Sequence, residues 1–424
     1  MKETQEKCKR KIESLQHAKE AGITLIALVV TIVVLLILAG ITINMLFSNG
    51  GIFKTAGDAA NAWNEATVNE QESLNNIADQ IANLVNGQVG GGDDTPEDPN
   101  KGPNGKPLVD TITEIQTGEN IQAEDKYGNP VVVPKGFRVV VDETTKNATT
   151  VPEGIVIEDG AGNQFVWIPT GTYKVDESGT TKTNDLTRRQ WGTTVNVEQV
   201  PTPITGDEVA TGYDAGQSYY GERATQDKEG NAITPVSTKI EEFLNSAKPV
   251  SEGGHGGFYI GRYEQGEGNV CKAGVNVYVE VTRDTAKAQA EMMYTDKEQY
   301  GVTSELISSY AWDTALNFIC QNSEHGYILA TATSTTYGNI GTGGTGIKQT
   351  GGTPADCYSN IYDLVGNCKE WTTEYSSETY GSSNYPCVYR GGSYFDNDYY
   401  AANRNSDTQV CSRIGFSFRL SLYV

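Results

Sequence analysis

The feature that most constrains this chain is an uncharged apolar run near its N-terminus. No charged residue occurs from position 21 to position 53, and the core of the run, residues 22–43, is long enough to span about 30 Å of hydrocarbon as a helix. Residues 1–20 contain five lysines and one arginine, so the positive-inside rule places them in the cytoplasm and the remainder outside. A cleaved secretory signal is the alternative, although its apolar core would be shorter.

Residues 22–27 read Gly-Ile-Thr-Leu-Ile-Ala and resemble the processing site of the type IV prepilin family. The resemblance covers about residues 1–60 and implies a leader at 1–22, cleavage after Gly22, Ile23 as the mature N-terminus and a transmembrane helix at 23–48. Pilins carry a Glu that pairs with a neighbouring subunit where this chain has Ala27, so the resemblance extends to processing and anchoring more than to filament assembly. It predicts a protein of the bacterial cell envelope, anchored in the membrane with its C-terminal domain outside.

A second helix and a linker are expected after the apolar run. Through residues 52–86, apolar or small residues recur every seven positions, namely Phe53, Ala60, Thr67, Leu74 and Ile81. This heptad seam predicts an amphipathic stalk helix whose partner is its own head or other pilin-like subunits, and an ordinary amphipathic helix on its own domain fits as well. Residues 87–107 are rich in Gly, Pro and Asp and predict a flexible linker.

Composition narrows the class of the remaining chain. The formal net charge is −22, whereas a nucleic-acid-binding face needs clustered Lys and Arg, so we expect no nucleic-acid partner. The 47 glycines and 23 tyrosines are typical of many short strands joined by long loops. We expect a small β segment at 108–160, then a domain at 161–424 with a polar insertion at 180–250. Strands are predicted at 130–141, 154–158 and 165–169, and helices at 239–247, 285–300 and 309–321.

Six segments in order resemble the motifs of the formylglycine-generating-enzyme (sulfatase-modifying-factor) family. They are FVWIPTGTY at 165–173, GFYIGRYE at 257–264, YAWDTALNF at 310–318, NIYDLVGNCKEWT at 360–372, YRGGSY at 389–394 and IGFSFRL at 414–420. The resemblance covers about residues 163–424 and implies a C-type-lectin-like α+β domain. With the N-terminal segment, the expected fold class is α+β: a transmembrane, pilin-like helix followed by a loop-rich lectin-like domain.

The same resemblance argues against catalysis. The family's enzymes hold copper with two cysteines just after the GGSY motif, and the matching positions here are Asp396 and Ala401. Copper(I) prefers thiolate ligands, so we expect no copper and no enzymatic activity, with a residual formylglycine-generating activity as a minor alternative. The six cysteines after the apolar run leave disulfides or buried free thiols both open.

The segment between the YRGGSY and IGFSFRL motifs is the candidate binding site. It is dense in Tyr, Asn, Asp and Ser, which combine rigid rings with adaptable hydrogen-bonding groups as in antibody paratopes. It also resembles the variable region of proteins diversified by retroelements. A plain polar loop is the alternative, and the predicted ligand is an unknown protein or glycan. The candidate residues are Tyr394, Phe395, Asp396, Asn397, Asp398, Tyr399, Tyr400, Asn403, Asn405, Ser406 and Asp407.

A structural calcium ion is also expected from the family resemblance. In the family, one loop binds calcium through a first side chain, two backbone carbonyls and a Glu, and the matching residues are Asp363, Gly366, Cys368 and Glu370. Calcium prefers such a mixture of carboxylate and carbonyl oxygens. The alternative is that Glu370 forms a cap or a salt bridge in the core. The sequence as a whole predicts a surface-displayed, non-catalytic binding protein, or alternatively a pilus or pseudopilus subunit whose head only packs.

Overall fold

The described chain is built mainly from short β-strands. The computed structural model describes residues 98–191, 201–204, 220–223, 225–226, 231–331, 333–340, 346–380, 382–395 and 400–424, which belong to the unit Pro96–Val424. The strands are β1 Ile121–Glu124, β2 Pro130–Val133, β3 Phe137–Val139, β4 Val156–Asp159, β5 Gln164–Pro169, β6 Gly171–Lys174, β7 Thr181–Asn184, β8 Arg188–Gln190, β9 Thr202–Ile204, β10 Tyr220–Gly221, β11 Gly257–Gly261, β12 Thr303–Leu306, β13 Cys357–Tyr358, β14 Ile361–Tyr362, β15 Lys369–Tyr380, β16 Ser383–Arg390, β17 Arg404–Asp407, β18 Phe416–Phe418 and β19 Leu420–Tyr423.

Two sheets organise these strands. One is antiparallel with six strands in the order β12-β19-β11-β5-β4-β3. Its runs of Val, Ile, Phe and Trp are buried on both faces, as expected for a central sheet. The other has the order β10-β15-β16-β17, and β18 pairs with β15 in parallel. Strand β19 lies second in the first sheet, between β12 and β11.

Four α-helices occur in the described part of the chain. They are α1 Ile240–Ala247, α2 Arg283–Met292, α3 Ser309–Asn322 and α4 Ile328–Thr331. Short 3-10 turns lie at Val109–Thr111, Glu143–Thr145, Val151–Glu153, Val250–Glu252 and Pro354–Asp356. Helix α3 begins where the Ser308 side chain accepts a hydrogen bond from Ala311 N, an N-cap that satisfies one of the first free amides. The helices predicted at 239–247 and 309–321 are confirmed, and the one predicted at 285–300 ends earlier, at Met292.

One hydrophobic core joins the two sheets and α3. Trp167 of β5, Trp312 of α3 and Trp371 of β15 are all fully buried in it. Each comes from a segment that matches a family motif, so these motifs form the framework of the domain. Of the expected linker, residues 98–107 are described. They form a local bridge between Lys101 and Pro107, and Asn104 donates to the Glu124 carboxylate of β1.

The expected fold class is corrected by the structure. The described chain is mostly β-sheet with few helices, rather than a balanced α+β domain behind a membrane helix. None of its described helices is long and apolar enough to cross a bilayer. The longest, α3, has 14 residues and rises only about 21 Å at 1.5 Å per residue.

The expectation of a membrane-anchored envelope protein is withdrawn on this finding. The segments on which it was based lie outside the described residues: the processing site Gly22–Ile23, the apolar run at 23–48 and the stalk at 52–86.

Candidate functional site

The candidate binding segment starts and ends on buried framework. Strand β17 pairs with β16, with Arg404 opposite Arg390 and Asp407 opposite Cys387. Before β17, Ala402 N donates to Ala330 O of α4, and the indole of Trp312 donates to Ala401 O at 3.1 Å. The backbone that carries the segment is therefore fixed on both sides by α3, α4 and β16.

An aromatic patch is exposed at the start of this segment. Phe395 is 49% exposed, and its ring meets that of Tyr394 edge-on with centroids 4.9 Å apart. Beneath it, the Lys369 ammonium lies 5.5 Å from the centre of the Phe395 ring, a cation–π distance. The same ring covers Gly415, where an added Cβ would come within 2.8 Å of it. These contacts hold a large apolar ring at the surface, and the neighbouring Ile414 is 56% exposed.

The structure does not expose all of the predicted segment. Asn403, Ser406 and Asp407 are buried, so these three candidate residues do not lie on the exposed surface of the segment. They are buried because this part of the segment is not a loop but strand β17, which pairs with β16. Asn405 is partly exposed.

The other predicted tyrosines and acids divide in two groups. Tyr400 is half-buried and packs against the hydrophobic core, so it is not the free surface ring that we expected. Asp396, Asn397, Asp398 and Tyr399 lie outside the described residues. The described part of the candidate site therefore consists of Tyr394, Phe395, the edge of Tyr400 and Asn405.

Beneath the segment lies a buried network of ion pairs. Arg404 donates through Nη2 to Asp313 Oδ2 and through Nε to Glu374 Oε2, each at 2.8 Å. Arg390 also donates to Asp313, and Arg188 donates to Glu374 at 2.8 Å. All five side chains are almost completely buried. Buried charges are tolerated only when they are paired in this way, so the network fixes β17 against α3 and β15.

The network sets the charge of its acids. Burial alone would raise the pKa of Asp313, but Arg390 and Arg404 outweigh it and lower the pKa to about 2. For Glu374, burial is likewise outweighed by Arg404 and Arg188, and its pKa is lowered. Nearby Glu222 accepts hydrogen bonds from Ser309 N and Thr373 Oγ1 but has no such excess of cations. Burial and the charge of Glu374 raise the pKa of Glu222 to about 7.

A second buried cluster contains the expected calcium residues. Its four carboxylates share one buried cation, Arg419, and are Glu264, Asp356, Asp363 and Glu370. Burial raises the pKa of all four, that of Asp363 to about 7. Glu370 pairs with Arg419 at 2.8 Å, so the salt bridge that we weighed as an alternative does form.

The cluster fits a cation at Asp363 in particular. Asp363 Oδ1 is buried and has no hydrogen-bond partner, while Oδ2 accepts from Gly351 N at 2.8 Å. A buried carboxylate oxygen without a partner is costly and is what a bound cation would satisfy. No group of three or more His, Cys, Asp or Glu side chains in the described chain has the geometry to hold a metal ion. The expected calcium set has only two such side chains, because its other two ligands are the backbone carbonyls of Gly366 and Cys368.

The six described cysteines are free thiols. The sequence left disulfides and buried free thiols both open. The structure has free thiols, and five of the six are buried. Asp396 and Ala401 stand at the positions that match the two copper-binding cysteines of the formylglycine-generating enzymes. Ala401 is fully buried, and Asp396 lies outside the described residues.

The sequence did not indicate the residues of the ion-pair network that pack beneath the candidate site. Asp313 and Glu374 come from α3 and β15, and Arg404 reaches them across 91 and 30 positions of chain. Lys369, which lies beneath the Phe395 ring, was also missed. An arginine inside an otherwise Tyr- and Asn-rich segment was the only local sign of the ion-pair network.

No protein-family model and no curated protein matches this sequence. Among solved structures, the chain is similar to CarF, with a TM-score of 0.29 and 14% identity over 40% of this chain and 87% of that one. It is similar to PvdO from Pseudomonas aeruginosa, with a TM-score of 0.34 and 11% identity over 63% and 98%. It is also similar to variable protein 1 of Treponema denticola, with a TM-score of 0.28 and 12% identity over 62% and 96%. Likenesses of this strength say nothing about what the chain binds.

Proposed function

We propose that this domain is a non-catalytic binding module whose ligand, a protein or a glycan, docks on the aromatic patch of Tyr394 and Phe395. One observation carries the proposal: a large ring is held half-exposed at the surface by specific contacts to Lys369 and Gly415. Exposed aromatic side chains that are already fixed in place lose little conformational entropy on binding.

The buried ion pairs support the same function. Because Arg404 joins β17 to Asp313 and Glu374, the backbone of the segment stays in place when surface side chains change. A backbone that is fixed in this way suits a binding surface whose exposed residues differ from one variant of the protein to another. We therefore propose that a retroelement diversifies the exposed codons of residues 394–409, and that Arg404 is kept. A near-repeat of the encoding DNA beside a reverse-transcriptase gene would support this, and its absence from the genome would contradict it.

We also propose that Asp363, Gly366, Cys368 and Glu370 hold a structural Ca²⁺, the acids through carboxylates and the other two through backbone carbonyls. The support is the unpartnered Asp363 Oδ1 in a cluster with more buried acids than cations. When bound, the ion would supply the missing positive charge. It would fix the loop whose Asn367 carbonyl accepts from Tyr394 N at 3.1 Å, and so it would support the aromatic patch.

The binding proposal is tested by screening the purified protein on glycan and protein arrays, then measuring each hit with a Tyr394→Ala/Phe395→Ala double variant. We expect affinity to fall by about 1–4 kcal/mol, as for aromatic hot spots. Val250→Ala and Met292→Ala remove other exposed apolar side chains and serve as matched controls. Unchanged binding by a folded double variant, or an absence of ligands on both arrays, would count against the proposal.

A further inference from the structure

A second concave surface lies beyond the aromatic patch, at the far end of β17. It is a cavity of about 560 Å³, within the usual range for small-ligand sites. Tyr375 of β15, Ser383 and Asn384 of β16 and the turn at 408–410 line it, and Ile233 and Val236 close one side.

The cavity has one charged group, Arg283 at the start of α2. None of its lining residues is an acid, although the chain carries a net charge of −22. Arg283 is only 4% exposed and donates to two backbone carbonyls. Because no lining residue is acidic, its positive charge attracts an anion that enters the cavity.

The hydrogen bonds of Arg283 show where that anion would bind. Nη1 donates to Glu374 O at 3.1 Å and to Pro386 O at 2.8 Å. Nε is buried and, within the described chain, has no hydrogen-bond partner, and no bond joins Nη2 to a described residue either. Nη2 is the donor that a carboxylate in the cavity can reach directly, and Nε lies beside it on one of the two guanidinium edges that pair with carboxylates.

The rest of the lining suits the body of a small polar ligand. Ser383, Asn384 and Gln409 offer donors and acceptors at the exposed rim, and the Tyr375 ring offers an apolar wall. We infer that this cavity is a binding site for a small monocarboxylate with hydroxyl or amide groups, of the size of an acidic monosaccharide or a short acidic peptide unit. It is independent of the aromatic patch, because Tyr394 and Phe395 are not among its lining residues.

Calorimetric titration of the purified protein with N-acetylneuraminate and with N-acetylaspartate α-amide, each of which carries a single carboxylate, tests the inference and separates the two sources of the carboxylate. The methyl ester of each ligand keeps the body of the molecule and removes the charge. We expect at least one acid to bind and its ester to bind at least about tenfold more weakly. Equal binding of acid and ester, or binding of neither acid at millimolar concentration, would overturn the inference.

Variants locate the binding in this cavity. Arg283→Lys keeps the charge but loses the paired donors, and should weaken binding by about tenfold or more. If that variant is unstable because of its lost bonds to Glu374 and Pro386, Ser383→Trp decides instead, since it fills the rim from an exposed position and leaves Arg283 in place. Phe395→Ala should leave carboxylate affinity unchanged. Binding that survives Ser383→Trp in a folded protein would place the ligand elsewhere and contradict the assignment.

Discussion

Arg404 of β17 and Asp313 of α3 form a buried ion pair, with Nη2 and Oδ2 2.8 Å apart. Arg404 lies in the middle of the candidate binding segment, yet its side chain is directed into the protein. The ion pair fixes the β17 part of that segment to the core, whereas other residues of the segment are exposed. It also explains why Asn403, Ser406 and Asp407 are buried: β17 is held against the core by its arginine.

Asp313→Ala should lower the free energy of unfolding by about 3–5 kcal/mol, because it leaves Arg390 and Arg404 buried without their shared acid. Urea unfolding followed by circular dichroism measures this. Glu158→Gln is the control, since it breaks a partly exposed pair with Arg138 and should cost no more than about 1 kcal/mol. Similar losses in the two variants would show that the buried network is not a special support.

Glu222→Gln should change how stability depends on pH. The pKa of Glu222 is raised from 4.5 to about 7 in the folded protein, so the folded state takes up a proton more readily than the unfolded chain. Its contribution is therefore most favourable below about pH 4.5 and is lost as the pH rises through 7. The variant should be more stable than the wild type at pH 8, by on the order of 1–3 kcal/mol, and nearly equal at pH 4.5.

Melting temperatures across that pH range test this prediction, with Glu252→Gln as the control at an exposed carboxylate. Parallel curves for wild type and Glu222→Gln would show that Glu222 keeps an ordinary pKa.

Calcium should raise the melting temperature of chelator-treated protein, because a ligand that binds only the folded state stabilises it. Asp363→Ala should abolish this increase, because it removes the ligating side-chain oxygen, whereas Asp98→Ala, at an exposed carboxylate, should retain it. Glu370→Ala is a poorer test, since it also leaves Arg419 without its ion-pair partner. A calcium response that persists in Asp363→Ala would exclude this loop as the site.

Gly154→Ala should destabilise the protein strongly. Gly154 has a φ of +87° and lies so close to Ser359 that an added Cβ would come within 1.9 Å of its carbonyl oxygen. Gly105→Ala is a matched control, because its φ is +76° but nothing lies within 4 Å. Chemical denaturation should show a cost of about 1 kcal/mol for the control, from its backbone conformation alone, and a clearly larger cost for Gly154→Ala. Equal costs would mean that the contact between residues 154 and 359 relaxes freely.

Local patterns in the sequence were sufficient to predict several elements. The helix predicted at 309–321 is found at Ser309–Asn322, and β5 follows from the run Phe-Val-Trp-Ile. The motif at 360–372 contains two of the four acids of the buried cluster, Asp363 and Glu370, which lie close together in the chain. Each of these features depends on neighbours within one or two turns or strands, which a sequence displays directly.

What only the tertiary structure decided is which polar side chains face solvent. Nothing near Arg404 in the chain indicates its acids, and nothing near Arg283 indicates that it lines a cavity together with Ile233, Ser383 and Val410. Likewise, pairing with β16 turned an apparent surface loop into the buried strand β17. Burial and ion pairing join residues that are tens to hundreds of positions apart, and their energies depend on distances that exist only after the chain has folded.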